Sequence, residues 1–198
     1  MSESIFPKPT KEDVEKEIEA FDKENGIGEW LLGNLFSRYR NNTVKSDVLE
    51  KVNILNRLYS TRLYSIEAMT NRILGVESFD SLLDAGSVDA AESIIECDLE
   101  GKSRSTFSFA SKYCSWHNWD AYPIYDQFVD ECLWYYQSLD HFASYSRSSF
   151  GTYGNFVKVV NDFRDRYDLG SFRFKDIDKF LTRRGAEIKE RRKTAGVN

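Results

Sequence analysis

Little in this chain can staple, kink or anchor it. Of its 198 residues only Pro7, Pro9 and Pro123 are proline, and only Cys97, Cys114 and Cys132 are cysteine. An odd, sparse set of thiols excludes a disulfide framework and points to a reducing compartment, so a cytoplasmic location is expected. No apolar run is long enough for a membrane span or a secretory signal, and Met1-Ser2-Glu3-Ser4-Ile5-Phe6 is too short and polar to direct export. Internal repeats, low-complexity tracts, a Walker loop, a dinucleotide fingerprint and a zinc-protease string are all missing. Cys114 and His117, one helical turn apart, imitate half of a zinc site, but no second pair matches them. No metal and no cofactor is expected. What is present, 41% hydrophobic and 15% aromatic residues, describes a packed helical protein with a sizeable core and not a disordered chain.

The net charge of −5 does not advertise nucleic acid, but its distribution is uneven. Residues 75–100 hold eight acids and no Lys or Arg, and residues 1–30 hold nine acids against four lysines. Residues 36–72 hold seven Lys or Arg against three acids, and residues 171–198 hold nine against four. Such a protein either gathers its two basic segments into one phosphate-binding face or simply solvates helix faces of mixed sign.

Hydrophobic periodicity predicts helices almost throughout. Thr10 can cap a helix to about Asn25 with Val14, Ile18 and Phe21 inside; Gly26 and Gly28 then punctuate, and Trp30, Leu32, Leu35 and Phe36 begin a second helix with Trp30 in the core. Ser46 or Asp47 opens a helix through Tyr59, and Ser65 caps another carrying Ile66, Met69 and Ile73. Short helices follow around Phe79 and Val88. Late in the chain Phe156, Val159, Val160 and Phe163 mark a helix, and a last one with Ile177, Phe180 and Leu181 ends near Gly185, leaving a basic tail.

The most informative stretch is Gly101 to Cys132. Phe109, Tyr113 and Trp116 recur at spacings of four and three, which gives a helix an aromatic face. Pro123 has no amide proton and drives Tyr122 out of helical geometry, so that helix must stop. Asp126 then stands where it can cap the next helix, which carries Phe128, Val129, Cys132 and Leu133.

The segment Tyr122-Pro123-Ile124-Tyr125-Asp126-Gln127-Phe128-Val129, preceded by a helix and a candidate hairpin at Gly101-Lys102-Ser103-Arg104-Ser105, resembles the helix-hairpin-helix (HhH-GPD) DNA glycosylases, nearest the 8-oxoguanine branch. Leu58 to Met69 is similar to the segment that enters the duplex beside an extruded base in that family. The resemblance implies an all-α, two-lobed fold with a cleft between lobes. It divides one compact body of residues 1–198 into a core of about 45–135 and a second lobe of helices from 10–40 and 152–185. It implies Asp126 as the catalytic carboxylate and at the same time the helix cap.

The same resemblance puts Lys112 on the pocket wall or as a nucleophile, and Trp116, His117, Tyr122, Tyr125 and Tyr59 around the base. Ser60, Thr61 and Arg62 would fill the gap in the duplex, although polar residues between two helices are also ordinary turn residues. Gly101 to Ser105 would hold a phosphate on backbone amides, with Lys102 and Arg104 adding charge. Only Gly101 stands where the family's hairpin is usually Gly-Val-Gly. Phe107 falls where bifunctional members carry their lysine, so a monofunctional enzyme is expected.

The expected activity is therefore hydrolysis of the N-glycosidic bond of a modified or damaged base flipped from duplex DNA, including a hypermodified base of phage DNA in an antiviral defence role. The expected partner is double-stranded DNA with a modified base, bound by a monomer and with no membrane. The alternatives are a non-catalytic helix-hairpin-helix module and an all-helical protein-interaction domain.

Overall fold

The computed structural model describes residues 6–95, 104–145 and 150–194, the side chains of Arg104 and Ser105 excepted. Among the described residues the regular structure is helical throughout, with no strand. The chain opens on α1 (Lys11–Arg38), where Thr10 and Asp13 form a reciprocal cap. Asp13 Oδ2 accepts from the Thr10 amide at 3.0 Å, and Thr10 Oγ accepts from the Asp13 amide at 3.2 Å.

The expected break at Gly26 to Gly28 is absent, and α1 runs unbroken for 28 residues. Each interior glycine costs a helix only about 1 kcal/mol relative to alanine, and without a proline to remove an amide the flanking turns carry the helix through. The continuous helix also corrects the placement of Trp30. Its buried side carries Leu32, Leu35 and Phe36, whereas Trp30 is 69% exposed, along with Ile27 and Leu31.

The helices α2 (Lys45–Tyr59), α3 (Ile66–Gly75), α4 (Phe79–Asp84), α5 (Val88–Ile94) and α6 (Arg104–His117) follow. The expected opening of α2 at Ser46 or Asp47 moves to Val44, which caps without a side-chain bond. Ser65 caps α3 as expected, its oxygen accepting from the Ala68 amide at 3.1 Å. The C-terminal part comprises α7 (Gln127–Asp140), α8 (Tyr153–Arg166) and α9 (Phe174–Thr194).

Two compact units result. One combines residues 1–24 with 125–198, and the other is residues 25–124. The single helix α1 contributes to both units, and Tyr125 begins the C-terminal one. The core of the 25–124 unit is built from Val48, Val52, Leu55, Met69, Ile73, Leu83, Phe109 and Tyr113, all essentially inaccessible. That of the other unit is built from Tyr136, Phe156, Val160, Phe163, Ile177, Phe180 and Leu181.

Gly185 does not end the last helix. It lies inside α9 because α9 crosses the start of α7 at backbone distance: a Cβ on Gly185 would fall 1.9 Å from the Phe128 carbonyl oxygen. The expected tail is helical to Thr194, and Lys189, Arg191 and Arg192 meet partners there. Arg192 pairs with Glu131, and Lys189 donates to Gln127 Oε1 at 3.2 Å. No helix among the described residues is long and apolar enough to cross a membrane, and no cluster of three or more His, Cys, Asp or Glu there could hold a metal ion.

Candidate functional site

Asp126 is held by the geometry that stops α6 and starts α7. Pro123 prevents the chain from continuing as helix, and Asp126 takes an extended conformation as N-cap of α7. Its Oδ1 accepts from the amides of Phe128 at 2.8 Å and Val129 at 2.9 Å. One oxygen thus fixes the carboxylate, while Oδ2 takes no part in the cap and the residue stays partly accessible. Gly185 of α9 abuts Phe128 from the same unit, so α9 sets the position of the turn that carries this carboxylate. Tyr125 packs edge-on against Phe150 and Phe156, with centroids 5.8 and 5.5 Å away.

The remaining site residues that are described belong to the 25–124 unit. At the junction of α2 and α3, Ser60 and Arg62 both have left-handed backbone, with φ of 50° and 58°. Such conformations cost of order 1 kcal/mol each for residues with a Cβ and persist only where neighbours impose them. Asn56 imposes them here. Its side-chain oxygen accepts from Thr61 Oγ at 2.7 Å and from the Leu63 amide at 3.1 Å, and its carbonyl accepts from the Thr61 amide at 3.2 Å. Thr61 is therefore buried and committed to the clamp, which leaves Ser60 and Arg62 exposed. Sequence reasoning missed Tyr64, whose ring stands wholly in solvent at this tip. The available signal was a tyrosine directly ahead of a helix cap and outside any apolar stripe.

Along α6, Lys112 is 2% exposed; its ammonium donates to Ser108 Oγ at 2.8 Å and lies 5.3 Å from the centre of the Tyr59 ring. Trp116 Nε1 donates to the Tyr59 hydroxyl at 3.1 Å, so Tyr59, Lys112 and Trp116 form one cluster. Tyr122 lies elsewhere. It is fully buried, and its hydroxyl is directed at the carbonyls of Leu82 at 3.0 Å and Ser87 at 2.9 Å, tying the end of α4 to the start of α5. Burial raises its phenol pKa far above the ordinary value. Of the expected hairpin, Gly101, Lys102 and Ser103 lie outside the described residues; Arg104 and Ser105 open α6, with side chains not described.

A polar network not foreseen from the sequence lies behind His117. Lys51 is completely buried and donates to Tyr39 O at 2.8 Å and Asn42 Oδ1 at 2.7 Å, with His117 Nε2 at 3.3 Å. Tyr113 also donates to Asn42 Oδ1 at 2.5 Å, and Asn42 in turn donates through its backbone and side-chain amides to Asp80. Desolvation lowers the Lys51 pKa to about 8, with the Asp80 carboxylate opposing the shift. Lys51, counted above within a basic segment, is thus withdrawn from any surface charge. Cys114 is buried with its thiol pKa pushed up, and His117 turns Nε2 toward Lys51, so the suggested half zinc site does not form.

His117 is held neutral: burial, then the Lys51 and Arg40 cations, lower its pKa well below 6.5. In the unfolded chain the imidazole binds a proton near 6.5 that the folded state refuses, so this contribution to stability is complete above that pH and is lost on acidification. Urea denaturation at pH 7.5 and 5.5 should show a loss of up to about 1.4 kcal/mol per pH unit from this group. The loss should shrink in His117→Phe; an unchanged pH dependence would remove His117 as its source.

In front of the imidazole is a concavity of about 330 Å³. Phe36 and Gly33 of α1 and Trp116 of α6 form its apolar walls, and Ser37, Arg40, Asn118 and Asp120 supply polar groups. Trp119, which also lines it, is 39% exposed and stands edge-on to Trp116.

The family described as HI_0787_N, an N-terminal domain, has a model that matches residues 13–121. That span contains every residue lining the concavity and ends before Asp126. An uncharacterized protein of Haemophilus influenzae is 34% identical over 179 residues, which cover 89% of this chain and 85% of the relative. The chain belongs to this family. No solved structure matches it.

Proposed function

We propose that the chain is a DNA glycosylase of the helix-hairpin-helix type that hydrolyses the N-glycosidic bond of a modified or damaged base extruded from duplex DNA. The two-lobed glycosylase-like fold belongs to this reading. The observation that carries it is Asp126: one carboxylate oxygen is locked on two amides of α7, and the other is free of the cap. In the proposed reaction the bond from the sugar C1′ to the base breaks with its electron pair on the base, and water oxygen bonds to C1′. Asp126 Oδ2 stabilises the positive charge on the sugar and takes the proton from water, which then passes to the departing base.

Two further features support the reading. The α2–α3 tip presents Arg62 and Tyr64 on backbone already held in an unfavourable conformation by Asn56, a rigid element suited to filling a gap in a base stack. Lys112 is buried against Ser108 and Tyr59, which favours a monofunctional enzyme over one with a lysine nucleophile. A rival, a helix-hairpin-helix module that binds DNA without chemistry, is favoured by one observation: the family match includes the exposed tip and excludes Asp126.

Incubation with duplexes and phage genomes carrying different modified bases, scored for abasic sites, tests the proposal. Abasic sites in at least one substrate are expected, with no covalent adduct trapped by borohydride. Salt-sensitive DNA binding without abasic sites in any substrate would leave the binding module.

A further inference from the structure

We infer that the concavity beside His117 is a receptacle for a single planar nucleobase, held by a donor at His117 Nδ1, an acceptor at Asn118 Oδ1 and the indole of Trp119. The inference deepens the proposed activity and rests on it only in choosing a nucleobase among flat rings with mixed donors and acceptors. The donor follows from the network behind the ring. An ammonium group has donors and no acceptor, and the Lys51 ammonium lies 3.3 Å from His117 Nε2, with the Asn42 amide nitrogen at 3.4 Å.

Nε2 therefore carries the lone pair, the proton resides on Nδ1, and no described residue accepts it. The buried cation thus fixes one imidazole tautomer, with its N–H edge left for the concavity. Asn118 is oriented in a comparable way. Its amide nitrogen donates to the Leu83 carbonyl at 3.0 Å, which turns the side-chain oxygen to the opposite side. A site with one fixed donor and one fixed acceptor beside an exposed indole matches the edge and face of a base.

Size and charge narrow the ligand further. About 330 Å³ is near the lower bound for small-molecule sites, room for a base or nucleoside and not for a longer strand. Arg40 at the rim pairs with Asp84 at 3.4 Å, and Asp120 also lines the opening, so the rim does not select an anion. A neutral ring is the fitting occupant.

Isothermal titration of the full chain with the four common 2′-deoxynucleosides and 8-oxo-2′-deoxyguanosine tests this. Saturable binding of at least one nucleoside is expected, weakened about fivefold or more in both His117→Phe and Trp119→Ala. Should His117→Phe fail to fold, Trp119→Ala, at a position open to solvent, decides alone. No saturable binding, or equal affinity in the variants, overturns the inference. Nucleoside binding by a protein that makes no abasic sites would keep this receptacle and remove the glycosylase. Abasic sites without nucleoside binding would do the reverse.

Discussion

Asp126→Asn is expected to fold normally, bind duplex DNA normally and release base at least about a hundredfold more slowly. Asparagine and aspartate are nearly equal as helix caps, and an asparagine side-chain oxygen can take over the bonds from the Phe128 and Val129 amides. What disappears is the charge on Oδ2, the oxygen that the cap does not use. A loss of about a hundredfold corresponds to about 2.7 kcal/mol of transition-state stabilisation, within the range for removing one well-placed electrostatic group. Asp126→Ala separates the two roles. It should lose the cap as well, about 1 kcal/mol, and melt about 2–4 °C lower. The measurements are thermal melting, duplex affinity and abasic-site formation on one substrate. Base release by Asp126→Asn at the wild-type rate would remove this carboxylate as catalyst, whatever else the protein does.

Replacement of Gly185 by alanine should be among the most destabilising single-methyl changes in the chain. An added Cβ would lie 1.9 Å from the Phe128 carbonyl oxygen and 2.6 Å from its carbon, and both belong to backbone that cannot rotate away. Helix propensity favours alanine by about 1 kcal/mol, so the close approach must outweigh that gain for the variant to lose stability. Separating α9 from α7 enough to admit the methyl forfeits packing along both helices, and a net loss of about 3 kcal/mol is expected, or about 6–12 °C in Tm for a chain of this size.

Gly26 and Gly28 are the controls. Both lie inside α1 with nothing within 4 Å of a Cβ, so alanine at either should stabilise by up to about 1 kcal/mol. A Gly185→Ala protein as stable as wild type would show that the approach of α9 to Phe128 is looser than the structure has it. Because Phe128 supplies one of the amides that hold Asp126, the variant should also lose base release in excess of its loss of fold.

The same glycines show which features are local in this chain. A glycine in sequence signals a possible stop, and the expected stops at Gly26 to Gly28 and at Gly185 are both wrong, for different reasons. The first two sit on an open stretch of a helix strong enough to tolerate them. The third is required by a neighbouring helix far away in sequence. Trp30 makes a related point: a large apolar side chain was expected inside, but the rotation of one unbroken α1 places it in solvent. Conversely, Ser65 and Asp126 were legible as caps because a cap is decided by a side chain and amides two or three residues away.

The all-α class, the helix caps at Thr10, Ser65 and Asp126 and the aromatic face of α6 were determined by the sequence alone, since periodicity, capping and proline placement act over a turn or two of chain. Only the tertiary structure decided that Lys51 would be buried behind His117, that Asn56 would clamp the tip bearing Arg62 and Tyr64, and that Tyr122 would be spent on two carbonyls. Those outcomes depend on which helices meet. A buried charge or hydroxyl takes whatever partner packing brings within 3 Å, and that partner can lie anywhere in the sequence.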